Sequence, residues 1–310
     1  MQGRGKQLFT TVACALLAVG GGFLVVRRLR SPAEQAAPRL GGGSSSPSSS
    51  PAVRSPPRYS VEVTSGAERI LPATDTTIAY RIMNDRGETV KGFSIAHEKL
   101  MHLIVVRKDL QHFQHLHPTF EAATGTSSIE MTFLADGPYR LFADFTPSIE
   151  DPQRLPVTAF VDVVAGEENT YVPQPVVPDT EHEQSIGAYR VTYEFPGTLK
   201  AQTPFTYSMS IAKNGEPVTN LEPYLGALGH SVLLKTDTLD FVHTHAEEQE
   251  GRTRGPLVLF STTFSEPGLY KAFSQFQHEG RVLTAEHVVS VERGSGAAKS
   301  PEHGGEHPMQ

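Results

Sequence analysis

Six of the thirteen histidines in this chain fall into two sets with the same spacing. The stretch HLIVVRKDLQHFQHLHP places His102, His115 and His117 at offsets 0, 13 and 15. The stretch HSVLLKTDTLDFVHTHA places His230, His243 and His245 at the same offsets. A neutral imidazole offers one lone-pair nitrogen, and three converging on a point make a ligand set for Zn²⁺, Cu²⁺, Ni²⁺ or Fe²⁺.

Convergence requires a hairpin. If the first stretch turns near Lys108–Asp109–Leu110, His102 lies opposite His115 or His117; a turn about Asp237 sets His230 opposite His243 or His245. Side chains two apart on a strand share a face at roughly 6.8 Å, and opposed residues hold their Cβ atoms about 4.5–5.5 Å apart. Three rings can then reach one ion at about 2.0–2.1 Å. Asp144, in a neighbouring strand run, is the candidate fourth ligand of the first set, although the second unit carries Gln275 there. Met101 would soften the first site towards Cu⁺, but in a regular strand it points to the opposite face from His102. The competing reading is structural. Alternation puts His102 with Ile104 and Val106, and His115 and His117 with Phe113, so the rings could rim a core and bond to backbone carbonyls.

The remaining histidines carry less. His97 and His112 have no counterpart in the second set, and His278 and His287 none in the first, although these last two could lie near the second site. His182 sits in an acidic connector, and His303 and His307 in a polar tail beside Met309. These three read as solvated polar residues, with the tail able to hand a metal to the domains.

The elements that would position these rings come as a duplication. GPYRLFADF (137–145) matches GLYKAFSQF (268–276), VTAFVDVV (157–164) matches LTAEHVVSV (283–291), and YSVEV and YRVTYEF open the two units. The period of about 128 residues is a whole domain, too long for a solenoid repeat. Within each unit, short β-branched and aromatic runs are punctuated by NDRGE, ADGP, KNGEP and SEPG. That is the pattern of an antiparallel sandwich of about seven strands. The expectation is an all-β chain of two immunoglobulin-like or cupredoxin-like β-sandwich domains, at 59–165 and 188–293, joined by a Pro-rich linker at 166–187.

Ahead of them, Leu8–Val26 is an uncharged apolar segment flanked by Arg4 and Lys6 on one side and Arg27, Arg28 and Arg30 on the other. About 20 apolar residues span a bilayer as a helix, and no small-residue cleavage site comes after this one. Residues 1–30 thus read as an uncleaved membrane anchor, 31–58 as a disordered Ser/Pro/Gly spacer and 294–310 as a disordered tail. Basic residues C-terminal to the span mildly favour a cytoplasmic placement of the domains. The signal-anchor character of the N-terminus favours export, and an extracytoplasmic, periplasm-like location is the expectation.

The first 58 residues carry eight Lys/Arg against Glu34 alone, so with a chain total of −7 the remainder stands at −14. An acidic body repels phosphate backbones, which argues against nucleic acid, and is compatible with cations. The lone cysteine, Cys14, excludes intrachain disulfides and any site built on several thiolates. Neither a GxSxG elbow nor a phosphate-cradling glycine loop occurs, so no enzyme is expected.

The stretches MHLIVVRKDLQHFQHLHP and PYLGALGHSVLLKTDTLDFVHTH, each with G-x-Y-x-x-F downstream, resemble a little-characterised group of bacterial exported or membrane-anchored proteins. The resemblance rests on the H-x12-H-x-H pattern, and the second unit departs from it at Ala246, where the first has Pro118. It implies β-sandwich domains and extracytoplasmic handling of heavy metals, copper above all. The expected function is metal binding at one three-histidine site per unit, copper favoured over zinc, with transfer to a protein partner. A structural or adhesive tandem without metal is the alternative. A metal-dependent oxidase or hydrolase, with Asp144 or Glu286 as base, is the third reading.

Overall fold

The computed structural model describes residues 59–148, 155–167, 170–247 and 254–294. The segments read as anchor, spacer and tail, with His303 and His307, lie outside the described residues. Among those described, no helix is long and apolar enough to cross a membrane.

The β-branched and aromatic runs become strands, and the Gly, Asn and Asp clusters become the turns between them. The first unit contains β1 (Ser60–Ser65), β2 (Asp75–Met83), β3 (Phe93–Ser94), β4 (Met101–Arg107), β5 (Gln114–Leu116), β6 (Thr119–Glu121), β7 (Thr126–Thr132), β8 (Gly137–Pro147) and β9 (Val157–Ala165). One sheet runs β1-β2-β7-β6; in the other, β8 pairs with β3, β4 and β9, and β4 with β5. Between them lies a core that includes Ile78, Tyr80, Ile82, Leu103, Val105, Tyr139 and Leu141.

The second unit repeats the plan with β10 (Glu183–Ile186), β11 (Tyr189–Glu194), β12 (Leu199–Lys200), β13 (Phe205–Lys213), β14 (Glu216–Pro217), β15 (His230–Lys235), β16 (Phe241–His245), β17 (Leu257–Thr262), β18 (Gly268–His278) and β19 (Arg281–Glu292). Its sheets run β10-β11-β13-β14, with β17 on β13, and β12-β19-β18-β15-β16. Thus β19-β18-β15-β16 copies β9-β8-β4-β5. The connector is fastened rather than free: the Gln174 amide donates to Asp109 Oδ2 at 3.0 Å, and Asp179 Oδ2 accepts from the Val288 amide at 2.7 Å.

The packing of two central strands decides where the histidines sit. Every residue of β4 and of β15 is buried. Met101, Leu103 and Val105 face the first unit's own core, while Ile104 and Val106 face away from it. These outward faces meet: Ile104, Val106 and Phe142 of the first unit pack with Val232, Leu234 and Phe273 of the second. The contact is reciprocal, as in a two-fold dimer. Phe113 stacks on Phe273 at 4.3 Å, and its counterpart Phe241 lies against Phe142 at 5.2 Å. Lys271 Nζ donates to the Leu110 carbonyl, and Arg140 reaches the Thr238 carbonyl. Burying each such aromatic or aliphatic side chain contributes about 1.5–3 kcal/mol, so the two sandwiches form one packed body.

Candidate metal centre

Strand alternation carries His102 onto the same face as Ile104 and Val106, and His230 onto that of Val232 and Leu234. All six spaced histidines therefore stand at the junction of the two units rather than at the rim of either core. Registers resolve the pairing: Ile104 opposes His115 in the first hairpin, while His230 opposes His245 and Val232 opposes His243 in the second. Gly229 allows β15 to begin so close to its neighbours, since a Cβ there would lie 2.9 Å from the Phe260 ring and 3.2 Å from the Gln275 carbonyl oxygen.

In each set one nitrogen per ring lies within 4.8 Å of the others. His102 is 2 % exposed and His230 1 %; the other four are part-buried. Their second nitrogens are occupied in matching ways. His102 Nε2 donates to the Ala96 carbonyl at 3.2 Å, and His230 Nε2 to the Tyr224 carbonyl at 2.7 Å. Both carbonyls belong to two-residue turns whose central residues have positive φ: His97 (49°) with Glu98 (65°), and Leu225 (54°) with Gly226 (81°). Non-glycine residues in that region cost about 1–2 kcal/mol each, so the turn is held there by its surroundings.

The remaining anchors cross between units. His115 Nδ1 donates to Gln275 Oε1 at 2.7 Å, and His243 Nδ1 pairs with Asp144 Oδ2 at 2.7 Å. In register Asp144 stands opposite His102, and Gln275 opposite His230. The ligand atoms that the first set groups are those of His102, His115 and His117, without Asp144. Its strand faces the other unit, and its carboxylate orients the second unit's His243 instead. Met101 is equally excluded: its Sδ accepts from the Tyr80 hydroxyl at 3.0 Å inside the first core.

The Ala96 carbonyl sets the tautomer of His102, and that of His115 follows from Gln275 presenting its oxygen. Donation by His102 Nε2 leaves a lone pair on Nδ1, and donation by His115 Nδ1 leaves one on Nε2. Those two nitrogens face each other at 3.0 Å. In those tautomers no hydrogen lies between two neutral rings and a metal ion suits the contact, whereas with the Gln275 amide reversed His115 Nε2 would donate to His102 Nδ1. Protonation is a poor alternative, because burial pushes His102 down to about 4 and His115 to about 2. Burial likewise lowers His117 to about 4, His230 to about 3 and His245 to about 2. Among the described residues, the buried histidine nitrogens without a hydrogen-bond partner are His117 Nε2, His230 Nδ1, His243 Nε2 and His245 Nε2. Each unmet buried group costs about 1–3 kcal/mol, and all four belong to the two sets. The large majority of buried side-chain polar atoms do find a partner.

Both units match the model of one protein family, described as Domain of unknown function (DUF8832), over residues 56–162 and 184–293. The chain belongs to the DUF8832 family. No curated protein sequence matches it. Solved structures that resemble it include Escherichia coli alpha-2-macroglobulin activated by porcine elastase, at 14 % identity over 77 % of this chain and 20 % of that one, with a TM-score of 0.23. Red sea bream transglutaminase gives 13 % identity over 76 % and 31 %, with a TM-score of 0.22. Invasin, a bacterial integrin-binding protein, gives 11 % over 74 % and 39 %, with a TM-score of 0.20. This chain spans well under half the length of each, and scores this low carry no functional argument.

The DUF8832 repeats thus bring together His102, His115 and His117, and beside them His230, His243 and His245. Two further participants escape sequence reasoning. Gln275 carries no ligand signal of its own, though its position matches Asp144. His97, lacking a counterpart, stacks on His245 of the other unit at 3.6 Å and lines a cavity of about 190 Å³ shared with Asp144, Phe241, His243 and His245. Two other described histidines stand apart. His278 bonds to the Tyr189 hydroxyl and Asn220, while His287, held low by burial, pairs with Asp179 and His182. Glu286 pairs with Lys271 at 2.6 Å instead of facing a histidine set.

Proposed function

We propose that this protein is a membrane-tethered, extracytoplasmic metal-binding protein that holds copper in preference to zinc. The supporting observation is the convergence of three ring nitrogens in each set, with His102 Nδ1 and His115 Nε2 3.0 Å apart and four buried nitrogens of the two sets without a hydrogen-bond partner, in a site where burial disfavours protonation. His102 Nδ1, His115 Nε2 and His117 Nε2 would hold one ion, and His230 Nδ1, His243 Nε2 and His245 Nε2 another. Backbone carbonyls, Gln275 and Asp144 supply the outer hydrogen bonds that metal-bound imidazoles need. A donor set of neutral imidazoles binds Cu²⁺ more tightly than the other divalent first-row ions, which supports copper. The tether is the apolar segment Leu8–Val26, and the His303/His307/Met309 tail passes the ion to a partner.

Equilibrium dialysis against Cu²⁺ and Zn²⁺ tests the reading. About two ions per chain are expected, copper held more tightly, with one lost when His102, His115 and His117 are all replaced by Ala. Tighter zinc than copper would overturn the metal assignment, and no retained ion the reading itself. A metal-dependent oxidase is the second reading, favoured by the cavity that opens on His243 and His245; it demands a turnover that vanishes in His230→Ala.

A further inference from the structure

Taking the metal-binding reading as its footing, we infer that the two histidine sets form a single two-metal centre, built across the junction of the units and closed by a small bridging anion. Three independent observations carry this.

The first is distance. Within the second set, the His243 ring lies 5.9 Å from His230 and 4.5 Å from His245. Across the sets it lies 5.7 Å from His102 and 6.0 Å from His115. His243 is thus nearer to a ring of the other set than to a ring of its own. His115 and His230 lie 6.4 Å apart, again across the sets. With imidazole nitrogens about 2.0–2.1 Å from their ion, rings so interleaved would bring the two ions close enough to interact magnetically and to share a small bridging anion.

The second is the exchange of supports. The first set is incomplete without Gln275 of the second unit, which orients His115. The second set is incomplete without Asp144 of the first unit, which orients His243. The aromatic stacks Phe113–Phe273 and Phe142–Phe241 obey the same crossed pattern. Neither unit alone presents a finished site, so the duplication serves to assemble one centre from two halves.

The third is charge. Six neutral imidazoles offset none of the charge of two divalent ions, and Asp144 supplies the single carboxylate hydrogen-bonded to any of their rings among the described residues. Two like-charged ions this close repel strongly in a site of low dielectric. A hydroxide, chloride or azide between them relieves the repulsion, and the cavity of about 190 Å³ beside His97, His243 and His245 gives such an anion a way in. The exposed His97, stacked on His245, stands at that entrance.

The experiment is electron paramagnetic resonance on the full-length chain titrated with Cu²⁺, counting spins against total copper, with and without azide. At two ions per chain the centre should give a half-field transition or a spin count well below two, and azide should change it. His117→Ala combined with His245→Ala should abolish that signature while the junction stays packed. Two ions with a full, additive spin count and no half-field feature would overturn the shared centre and leave two separate sites. One ion shared by six histidines would overturn it as well. No copper at all would instead remove the metal-binding reading on which it rests.

Discussion

Replacing Asp144 separates what its spacing suggests from what its contacts show. Its strand position, opposite His102, makes it look like a ligand of the first set. Its carboxylate instead meets His243 Nδ1 of the second at 2.7 Å, with the two side chains 13 % and 7 % exposed. Loss of such an outer hydrogen bond to a metal-bound histidine typically costs 10–100-fold in affinity, equivalent to about 1.4–2.7 kcal/mol. Asp144→Asn keeps an acceptor and removes the charge, so it should fall near the tenfold end. Asp144→Leu removes both and should approach a hundredfold. The assay is competition for Cu²⁺ against a chromophoric chelator at neutral pH, in two backgrounds. With His117→Ala only the second set is complete, and the full loss is expected. With His245→Ala only the first is complete, and little change is expected. Should the loss fall on the first set and spare the second, Asp144 would be a partner of His102, and the crossed arrangement would be wrong.

Two more outcomes derive from burial. His102, His115 and His230 have folded pKa values of about 4, 2 and 3 against 6.5 when unfolded, so the unfolded chain binds more protons as pH falls. The stability they contribute is present above 6.5 and lost towards those folded values. Between pH 6 and pH 5 the metal-free chain should lose roughly 3–4 kcal/mol from these three alone, read by urea unfolding; a flat profile would show the rings accept protons in place. Phe273→Ala empties a position 1 % exposed that stacks on Phe113. It should cost about 3–5 kcal/mol and weaken copper binding at both sets. A loss under about 1 kcal/mol would mean the junction contributes little.

Much of this architecture is legible from the residues. The matched spacings, the turn signals and the β-branched runs announce two all-β units with the histidines on hairpins, and the structure contains two such units with two histidine triples. What the residues do not disclose is that the triples meet. Periodicity tells which side chains share a face, but not what covers it. The signal is present in HLIVV and HSVLL, which lack the apolar–polar alternation of a strand with one wet face and so call for burial on both sides. On that basis Ile104, Val106, Val232 and Leu234 require a partner surface, and their histidine neighbours have to share it. Asp144 and Gln275 mislead for the same reason. A strand position fixes a register partner within a unit, whereas their contacts are set by the docking of one unit on the other. His97 is invisible to spacing because its importance derives from a positive-φ turn that sets it over His245, a purely tertiary fact.

The most direct test is anomalous diffraction at the copper edge from crystals of the Cu²⁺-loaded chain. Two peaks are expected at the junction of the units, one about 2.0–2.1 Å from His102 Nδ1, His115 Nε2 and His117 Nε2, the other bound by His230 Nδ1, His243 Nε2 and His245 Nε2. Copper bound only elsewhere, at His182 and His287 or in the tail, with ordered but metal-free triples at the junction, would contradict the metal-binding reading.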